Sequence, residues 1–163
     1  MSAMTDPTPA MESMEAAIKG RRLQLDRCHY DREMGAFADQ VNGMTRLAYV
    51  RLDDQGVAAF VNLVLTDVID GVPSFQAGVA VPERNRRRGY AKALLEAVIK
   101  EMAYGYGKTP MKAFTVEAVV SVDNVASNAV CRAVLSETPE AITDHPTGEP
   151  ALHYVRRVET IRG

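Results

Sequence analysis

An arginine-rich turn between an apolar segment and a helical segment is the part of this sequence best suited to bind an anion. The apolar run ends at Pro82 and is followed by four arginines within residues 84–88, by Gly89 and by an amphipathic segment from Tyr90. The first turn of a helix has N–H groups without intrahelical partners, and the helix dipole adds roughly half a positive charge there. Gly89 tolerates turn dihedrals and Ala91 is small, so a phosphate could approach the backbone. The pattern predicts a phosphate-binding loop.

The spacing within this loop separates it from two common nucleotide sites. It lacks the glycine and lysine pattern of a nucleotide-hydrolase P-loop and the G-x-G-x-x-G of a dinucleotide fold. Arg86-x-x-Gly89-x-Ala91 resembles the pyrophosphate-binding signature Q/R-x-x-G-x-G/A of the GNAT superfamily, the acyl-CoA-dependent N-acyltransferases. Strand-like segments over 75–81 and 114–120 and the N-x-x-S pattern from Asn124 are similar to that family as well. The resemblance covers residues 45–135.

The resemblance implies that acetyl-CoA is the cosubstrate, and no metal site is expected. Its pantetheine arm would pair with the backbone of the strand before the loop, and its pyrophosphate would bind the loop and the start of the helix. The implied cofactor-binding residues are Val79, Ala80, Val81, Arg86, Arg87, Arg88, Gly89, Tyr90, Ala91, Lys92, Asn124 and Ser127. Two alternatives stay open. The arginine run could be a solvated loop that binds no ligand, and Asn124 and Ser127 could cap their helix without contacting the cofactor.

Acyl transfer from a thioester to an amine requires proton transfer off the amine and onto the departing thiolate. Cys131 stands where many relatives place a tyrosine that protonates the thiolate, but a free cysteine more often packs as a small hydrophobe. Some relatives use a glutamate on the strand before the loop as general base, but residues 74–78 contain no carboxylate, and Glu117 on the next strand is one candidate. The other candidates are Glu33, His29 and His153, and a water chain to solvent would also serve.

The resemblance therefore implies an N-acetyltransferase that moves an acetyl group from acetyl-CoA to a primary amine by direct attack in a ternary complex. The alternative is a GNAT-like domain that binds acyl-CoA as a sensor or interaction module without transferring the acyl group. The amine acceptor could be a small molecule or a peptide, and assembly as a homodimer is left open.

Hydrophobic periodicity predicts the elements that position these residues. Residues 11–44 have a helical composition, with a first helix that Gly20 ends and a second helix over 27–41 in which Tyr30, Met34, Phe37 and Val41 form one stripe. Strands are predicted over 47–52, 57–65, 75–81, 113–120, 141–143 and 152–155, and a helix over 124–135. A further helix begins at Tyr90 and is ended by Gly105 or Gly107, and its predicted apolar stripe is Tyr90, Leu94, Leu95, Val98, Ile99 and Met102. On the last helix, the arc that contains Asn128 and Cys131 is predicted to face water or the cofactor, while the small aliphatic side packs on the sheet.

This order of elements predicts an α/β (α+β) fold with a mixed, partly antiparallel central sheet, flanked by helices on both faces, and a helical N-terminal region. The resemblance implies that this sheet is GNAT-like. Residues 1–10 are predicted to be a disordered leader. A length of 163 residues with 47% hydrophobic content suits one domain, which is predicted over residues 11–163.

Composition limits the partners and the compartment. A formal net charge of −2 provides no global field for nucleic acid or an anionic membrane, and 6% aromatic content argues against RNA binding by the arginines. Cys28 and Cys131 provide no disulfide framework and suit a reducing cytosol. The N-terminus lacks the features of a signal peptide, and no apolar run reaches the length of a membrane span. We expect a cytoplasmic protein without a nucleic-acid or membrane partner.

Overall fold

The N-terminal region begins with a single helix. A computed structural model of the chain describes residues 6–162, apart from the side chain of Ile69. Helix α1 spans Thr8–Lys19, and Gly20 follows it with its N–H donating to the Ala16 carbonyl at 2.9 Å. The first predicted helix and its glycine terminus are confirmed.

Helix α1 begins within the segment that was predicted to be a disordered leader. Pro7 precedes the helix and Pro9 lies in its first turn, where the missing proline N–H removes no helical hydrogen bond. The Met11 N–H donates to the Pro7 carbonyl at 3.0 Å, which starts the helical ladder. Residues 8–10 are therefore helical, and residues 1–5 lie outside the described residues.

The second predicted helix, over 27–41, is wrong. Strand β1 (Asp26–Arg27) and strand β2 (Met34–Val41) occupy that segment, and β2 pairs antiparallel with the next strand from Met34↔Arg51 to Val41↔Met44. The two residues between the last pair, Asn42 and Gly43, have φ values of 52° and 77°. Asn-Gly with both residues left-handed is the preferred two-residue hairpin turn, and it outweighs the helix-like spacing of the apolar residues before it.

The remaining elements follow the predicted order, although several are longer than predicted. Their bounds are β3 Met44–Asp53, β4 Gly56–Ile69, β5 Val72–Ala80, a 3₁₀ helix Glu83–Asn85, α2 Tyr90–Tyr106, β6 Ala113–Ser121, α3 Val125–Val134, β7 Glu140–Thr143 and β8 Pro150–Glu159. The apolar stripe predicted for α2 is confirmed, since Leu94, Leu95, Val98, Ile99 and Met102 are all buried.

Within residues 6–162, eight strands form one sheet in the order β1-β2-β3-β4-β5-β6-β8-β7. Strands β5 and β6 pair in parallel, whereas β1 with β2, β2 with β3, β6 with β8 and β7 with β8 pair antiparallel. The sheet is therefore mixed and mostly antiparallel, and together with three helices it confirms the predicted fold class.

The described residues belong to two compact units. The first unit contains residues 6–63 and 78–101, and the second contains residues 64–77 and 102–162. The single domain over 11–163 stays a prediction.

Each unit has its own buried apolar cluster. In the first unit, Met11 of α1 packs with residues of β3, β4 and β5, among them Val50 and Phe60. In the second unit, three rings of β5, α2 and β6 pack together, with ring centroids 5.9–6.1 Å apart: Phe75, Tyr106 and Phe114. Edge-on and tilted ring contacts of this kind stabilise a core beyond the apolar area that they bury.

Candidate functional site

The loop before α2 lies in the first unit and contains two residues with left-handed backbone. Arg87 has a φ of 64° and Gly89 a φ of 78°. Loops with such residues can gather N–H groups into a concavity that binds anions. A Cβ atom added to Gly89 would meet nothing within 4 Å, so the space beside this residue is open. The backbone here is accessible to a ligand.

The first turn of α2 adds N–H groups beside this loop. The Ala93 N–H donates to the Gly89 carbonyl at 3.0 Å, and the N–H groups of Tyr90, Ala91 and Lys92 precede this bond in the helix. These are the positions whose N–H groups have no partner within an α-helix. The helix N-terminus and the glycine turn thus occur together, as the sequence predicted.

Two residues before the loop hold it in place and were not among the predicted site residues. Arg84 Nη2 donates to Asp53 Oδ1 at 2.9 Å and to the Val57 carbonyl at 3.0 Å. Asn85, which is 5% exposed, donates through Nδ2 to Asp53 Oδ2 at 3.2 Å and to the Ala58 carbonyl at 3.3 Å. These contacts fix the 3₁₀ helix against the start of β4.

Asp53 is the charged anchor of this arrangement. Burial acts to raise the pKa of Asp53, but hydrogen bonds from Asn85, from the Gln55 N–H and from Arg84 outweigh it, so the pKa lies below its ordinary value of 3.8. The carboxylate is therefore ionised at neutral pH and keeps the loop anchored.

The three predicted loop arginines differ from Arg84 in being exposed. Arg86, Arg87 and Arg88 all lie at the surface, and Arg86 Nε donates to the Val81 carbonyl at a long 3.4 Å. One arginine of the cluster is thus structural, and three guanidinium groups lie at the surface beside the open turn.

The strand segment predicted to bind pantetheine has one buried side chain between two half-buried ones. Ala80 packs in the core of the first unit, whereas Val79 and Val81 are half-buried. Because the side chain of Ala80 is buried, the backbone is the part of this residue that a ligand could contact. A cavity of about 260 Å³ adjoins this segment, and its lining residues are Thr8, Met11, Glu12, Glu15, Val81, Pro82, Glu83 and Arg86.

In the second unit, the parallel pairing of β5 with β6 is short. It contains three pairs and ends at Gln76↔Glu117, while β6 continues to Ser121. Glu117, a predicted catalytic residue, therefore lies at the last paired position.

The Glu117 carboxylate accepts hydrogen bonds through both oxygens. Ser74 Oγ donates to Glu117 Oε2, and His153 Nε2 lies 2.8 Å from Glu117 Oε1. Ser74 was missed by the sequence reasoning, while Glu117 and His153 were predicted as separate candidates. The structure brings these two candidates into contact.

The other two candidates for the base lie in the first unit, in the loop between β1 and β2 instead of on a helix. The backbone N–H of His29 donates to Glu101 of α2 at 2.8 Å, and the backbone N–H of Glu33 donates to Asp31 at 3.0 Å. Both side chains are exposed.

The arc of α3 that was predicted to face water or the cofactor is buried. Asn128 and Cys131 belong to this arc, and Val134 of the aliphatic side is buried as well, whereas Val125 of the aliphatic side is 78% exposed. Asn128 can be buried because its amide is satisfied: Nδ2 donates to two backbone carbonyls at 2.9 Å, and Oδ1 accepts from the Tyr154 hydroxyl at 2.7 Å.

Asn124 caps this helix. Its Oδ1 accepts the backbone N–H of Ser127 at 3.1 Å, which is the bond that stabilises a helix N-terminus. The capping alternative is therefore present in the structure, and cofactor binding by Asn124 and Ser127 stays a prediction.

Cys131 is 4% exposed, and burial raises the pKa of its thiol to about 11. A thiol with that pKa is protonated at neutral pH but is a weaker acid than an ordinary cysteine. Burial and the raised pKa favour packing, while a catalytic role for Cys131 stays a prediction.

Three solved structures illustrate the likeness of this fold to known proteins. Ribosomal-protein-alanine N-acetyltransferase from Brucella melitensis is 14% identical with a TM-score of 0.52, over 94% of this chain and 80% of that chain. Ribosomal-protein-S5-alanine acetyltransferase from Vibrio fischeri is 13% identical with a TM-score of 0.52, over 68% and 61%. RimL, a ribosomal L7/L12 alpha-N-protein acetyltransferase in complex with coenzyme A, is 20% identical with a TM-score of 0.50, over 68% and 61%.

This chain thus spans less than two thirds of the length of the last two proteins. No protein-family model matches the chain, and no curated protein matches it in sequence. No helix in the described part of the chain is long and apolar enough to cross a membrane. The structural likenesses show that the chain has the fold of the GNAT acetyltransferases.

Proposed function

We propose that this chain is an N-acetyltransferase that moves an acetyl group from acetyl-CoA to a primary amine by direct attack in a ternary complex. The observation that carries the proposal is the loop of residues 86–92. It joins an open glycine turn, left-handed at Arg87 and Gly89, to the N-terminus of α2 and to exposed guanidinium groups. This combination suits the pyrophosphate of coenzyme A.

The fold supports the choice of ligand and of reaction. The solved structures with this fold include acetyltransferases of ribosomal proteins, and one of them contains coenzyme A. By the same resemblance, the backbone of residues 79–81 would bind pantetheine, and Asn124 and Ser127 are proposed cofactor-binding residues. Because Ala80 is a core residue, backbone hydrogen bonding is the contact that this segment offers.

For the amine proton we propose the group around Glu117. This carboxylate is mostly buried and hydrogen-bonded to Ser74 and His153, so its orientation is fixed. Cytoplasmic location is proposed too, since Cys28 and Cys131 are both free and buried. The acceptor is proposed to be a small-molecule or peptide amine.

Two measurements test the proposal. Calorimetry should detect binding of acetyl-CoA and of CoA, and a thiol reagent should detect release of free CoA when acetyl-CoA is mixed with a panel of amines and N-terminal peptides. Binding without turnover on any amine would instead support the acyl-CoA sensor or interaction module. Failure to bind CoA would refute both functions.

A further inference from the structure

We propose that His153 removes the proton from the amine acceptor and that Glu117 is the positioning residue that orients its imidazole. This inference rests on the proposed acetyltransferase function and names the group that would serve it as base. It starts from two polar side chains that lie 36 residues apart in the chain and in direct contact in the second unit.

The contact follows from the register of the sheet. In the antiparallel ladder of β6 and β8, Glu117 pairs with Val155 and Val119 pairs with His153. Paired residues share a face of the sheet, and residues two apart along a strand share it as well. Glu117 and His153 are therefore diagonal neighbours on one face, at a distance that long polar side chains can span.

A third residue holds the carboxylate from the other side. Ser74 of β5 is 6% exposed, and its hydroxyl donates to Glu117 Oε2 while His153 faces Oε1. The Glu117 side chain is 14% exposed and that of His153 is 21% exposed. The imidazole is thus the more accessible member of the pair.

This arrangement determines which imidazole nitrogen is basic. An ionised carboxylate only accepts hydrogen bonds, so Nε2 of neutral His153 carries the proton that faces Glu117. The other nitrogen, Nδ1, then has the free electron pair, because the bond made by one ring nitrogen determines the state of the other. A carboxylate in this position also stabilises the imidazolium that forms.

In each reaction cycle, Nδ1 of His153 accepts one proton from the amine. An ammonium acceptor gives one proton to Nδ1, and the nitrogen electron pair then attacks the thioester carbonyl. The carbon–sulfur bond breaks and the thiolate leaves with its electrons. The new amide nitrogen has lost two protons: one ends on the CoA thiol, and the other passes through the imidazole to solvent.

The position of the pair in the sheet suits this role. Glu117 lies at the last residue pair of β5 with β6, and β6 continues beyond it to Ser121. Backbone groups that lose a strand partner need another one, which a bound ligand can provide. A ligand bound along this part of β6 would lie next to the Glu117 and His153 pair.

The first test replaces the base and keeps its hydrogen bond. The amide of His153→Gln can donate to Glu117 but cannot accept the amine proton. We expect kcat/KM to fall at least a hundredfold, as loss of a general base does, with the CoA dissociation constant unchanged. The matched control is His145→Gln at an exposed loop histidine, which should retain kcat/KM.

The pH profile separates a base from a structural residue. A pH dependence of kcat/KM that the wild type shows and that the residual activity of His153→Gln lacks would identify the imidazole as the base. The carboxylates that face His153 are Glu117 on β6 and Glu140, its paired residue on β7. Glu140→Gln should therefore keep a pH dependence that His153→Gln removes.

Two results would overturn the inference. Turnover of His153→Gln within about threefold of the wild type would exclude the imidazole as a base of the usual strength. Nitrogen NMR that shows the proton of neutral His153 on Nδ1, or a tautomer unaffected by Glu117→Gln, would remove the positioning role of Glu117. The NMR result does not require turnover, so it separates failure of this inference from an inactive wild type, which would refute the proposed function.

Discussion

Replacement of Gly89 by alanine tests whether the turn before α2 binds the cofactor. Gly89 has a φ of 78°, and a Cβ atom there meets nothing within 4 Å. The methyl group of Gly89→Ala therefore clashes with no described atom of the protein, and the change acts through the backbone dihedral. Left-handed backbone costs an L-residue about 1–2 kcal/mol.

This cost divides between two measurable quantities. If the free loop keeps its conformation, the strain appears in the free energy of unfolding. If the free loop relaxes, the strain must be overcome when CoA binds, and the affinity falls by a factor of about 5–30, because 1.4 kcal/mol is tenfold in affinity. The two losses together should therefore equal about 1–2 kcal/mol for Gly89→Ala. The branched side chain of Gly89→Val is more strained in left-handed backbone and would occupy the space proposed for the pyrophosphate, so this change should lower both stability and affinity further.

The assay combines calorimetry with CoA and urea unfolding of the same samples. Gly105→Ala is the matched control, since its Cβ also meets open space but Gly105 lies within α2 and not in the left-handed region. The control corrects for the effect of any glycine-to-alanine change on the unfolded chain. A Gly89→Ala protein with wild-type CoA affinity and a stability equal to the control would refute the strain assigned to this turn, and a folded Gly89→Val protein with wild-type CoA affinity would refute its binding role.

Four further changes have defined outcomes. Gly107→Ala should lower the free energy of unfolding in urea by about 1–3 kcal/mol, because its Cβ would overlap the Ile161 carbonyl oxygen, whereas Gly105→Ala should raise it by about 0.5–1 kcal/mol. Cys131→Ala should cost about 1–3 kcal/mol of stability and change turnover little; a hundredfold fall in turnover with an unaltered Tm would show a catalytic thiol. Asp53→Asn should lower Tm at neutral pH, and the difference from the wild type should shrink as the pH falls below 3.8, since the lowered pKa means that the stabilisation is lost on protonation. A difference independent of pH would contradict the role given to Asp53.

The loop and α2 could be predicted from sequence because their signals are local. The stripe from Leu94 to Met102 repeats at helical spacing over several turns, and Gly89 directly precedes it. The hairpin signal of Asn42 and Gly43 is equally local, but it was outweighed by the apolar residues of 27–41, whose spacing also fits a helix. A two-residue Asn-Gly turn should have decided the choice, since its backbone geometry is incompatible with a continuing helix.

The buried face of α3 could not be predicted from the sequence, for a different reason. Asn128 is polar, and polar residues are mostly exposed, so its arc was assigned to solvent or cofactor. Its burial depends on two backbone carbonyls and on the hydroxyl of Tyr154, which lies 26 residues away in the chain. These partners come from the packing of α3 on β6 and β8. The residue pattern of the helix alone cannot predict them.

The contact of Glu117 with His153 also joins residues that are distant in the sequence. For this reason the general base could not be chosen from the sequence alone. Each residue alone is a weak candidate, because a single glutamate or histidine is common at a protein surface. The pair arises from the pairing of β6 with both β5 and β8, which joins residues 43 and 36 positions apart. A shift of β8 by one residue would turn His153 to the opposite face of the sheet. The strand register therefore determines whether these two side chains meet. Once the register is known, Glu117 and His153 form one specific hypothesis for the base and the residue that positions it.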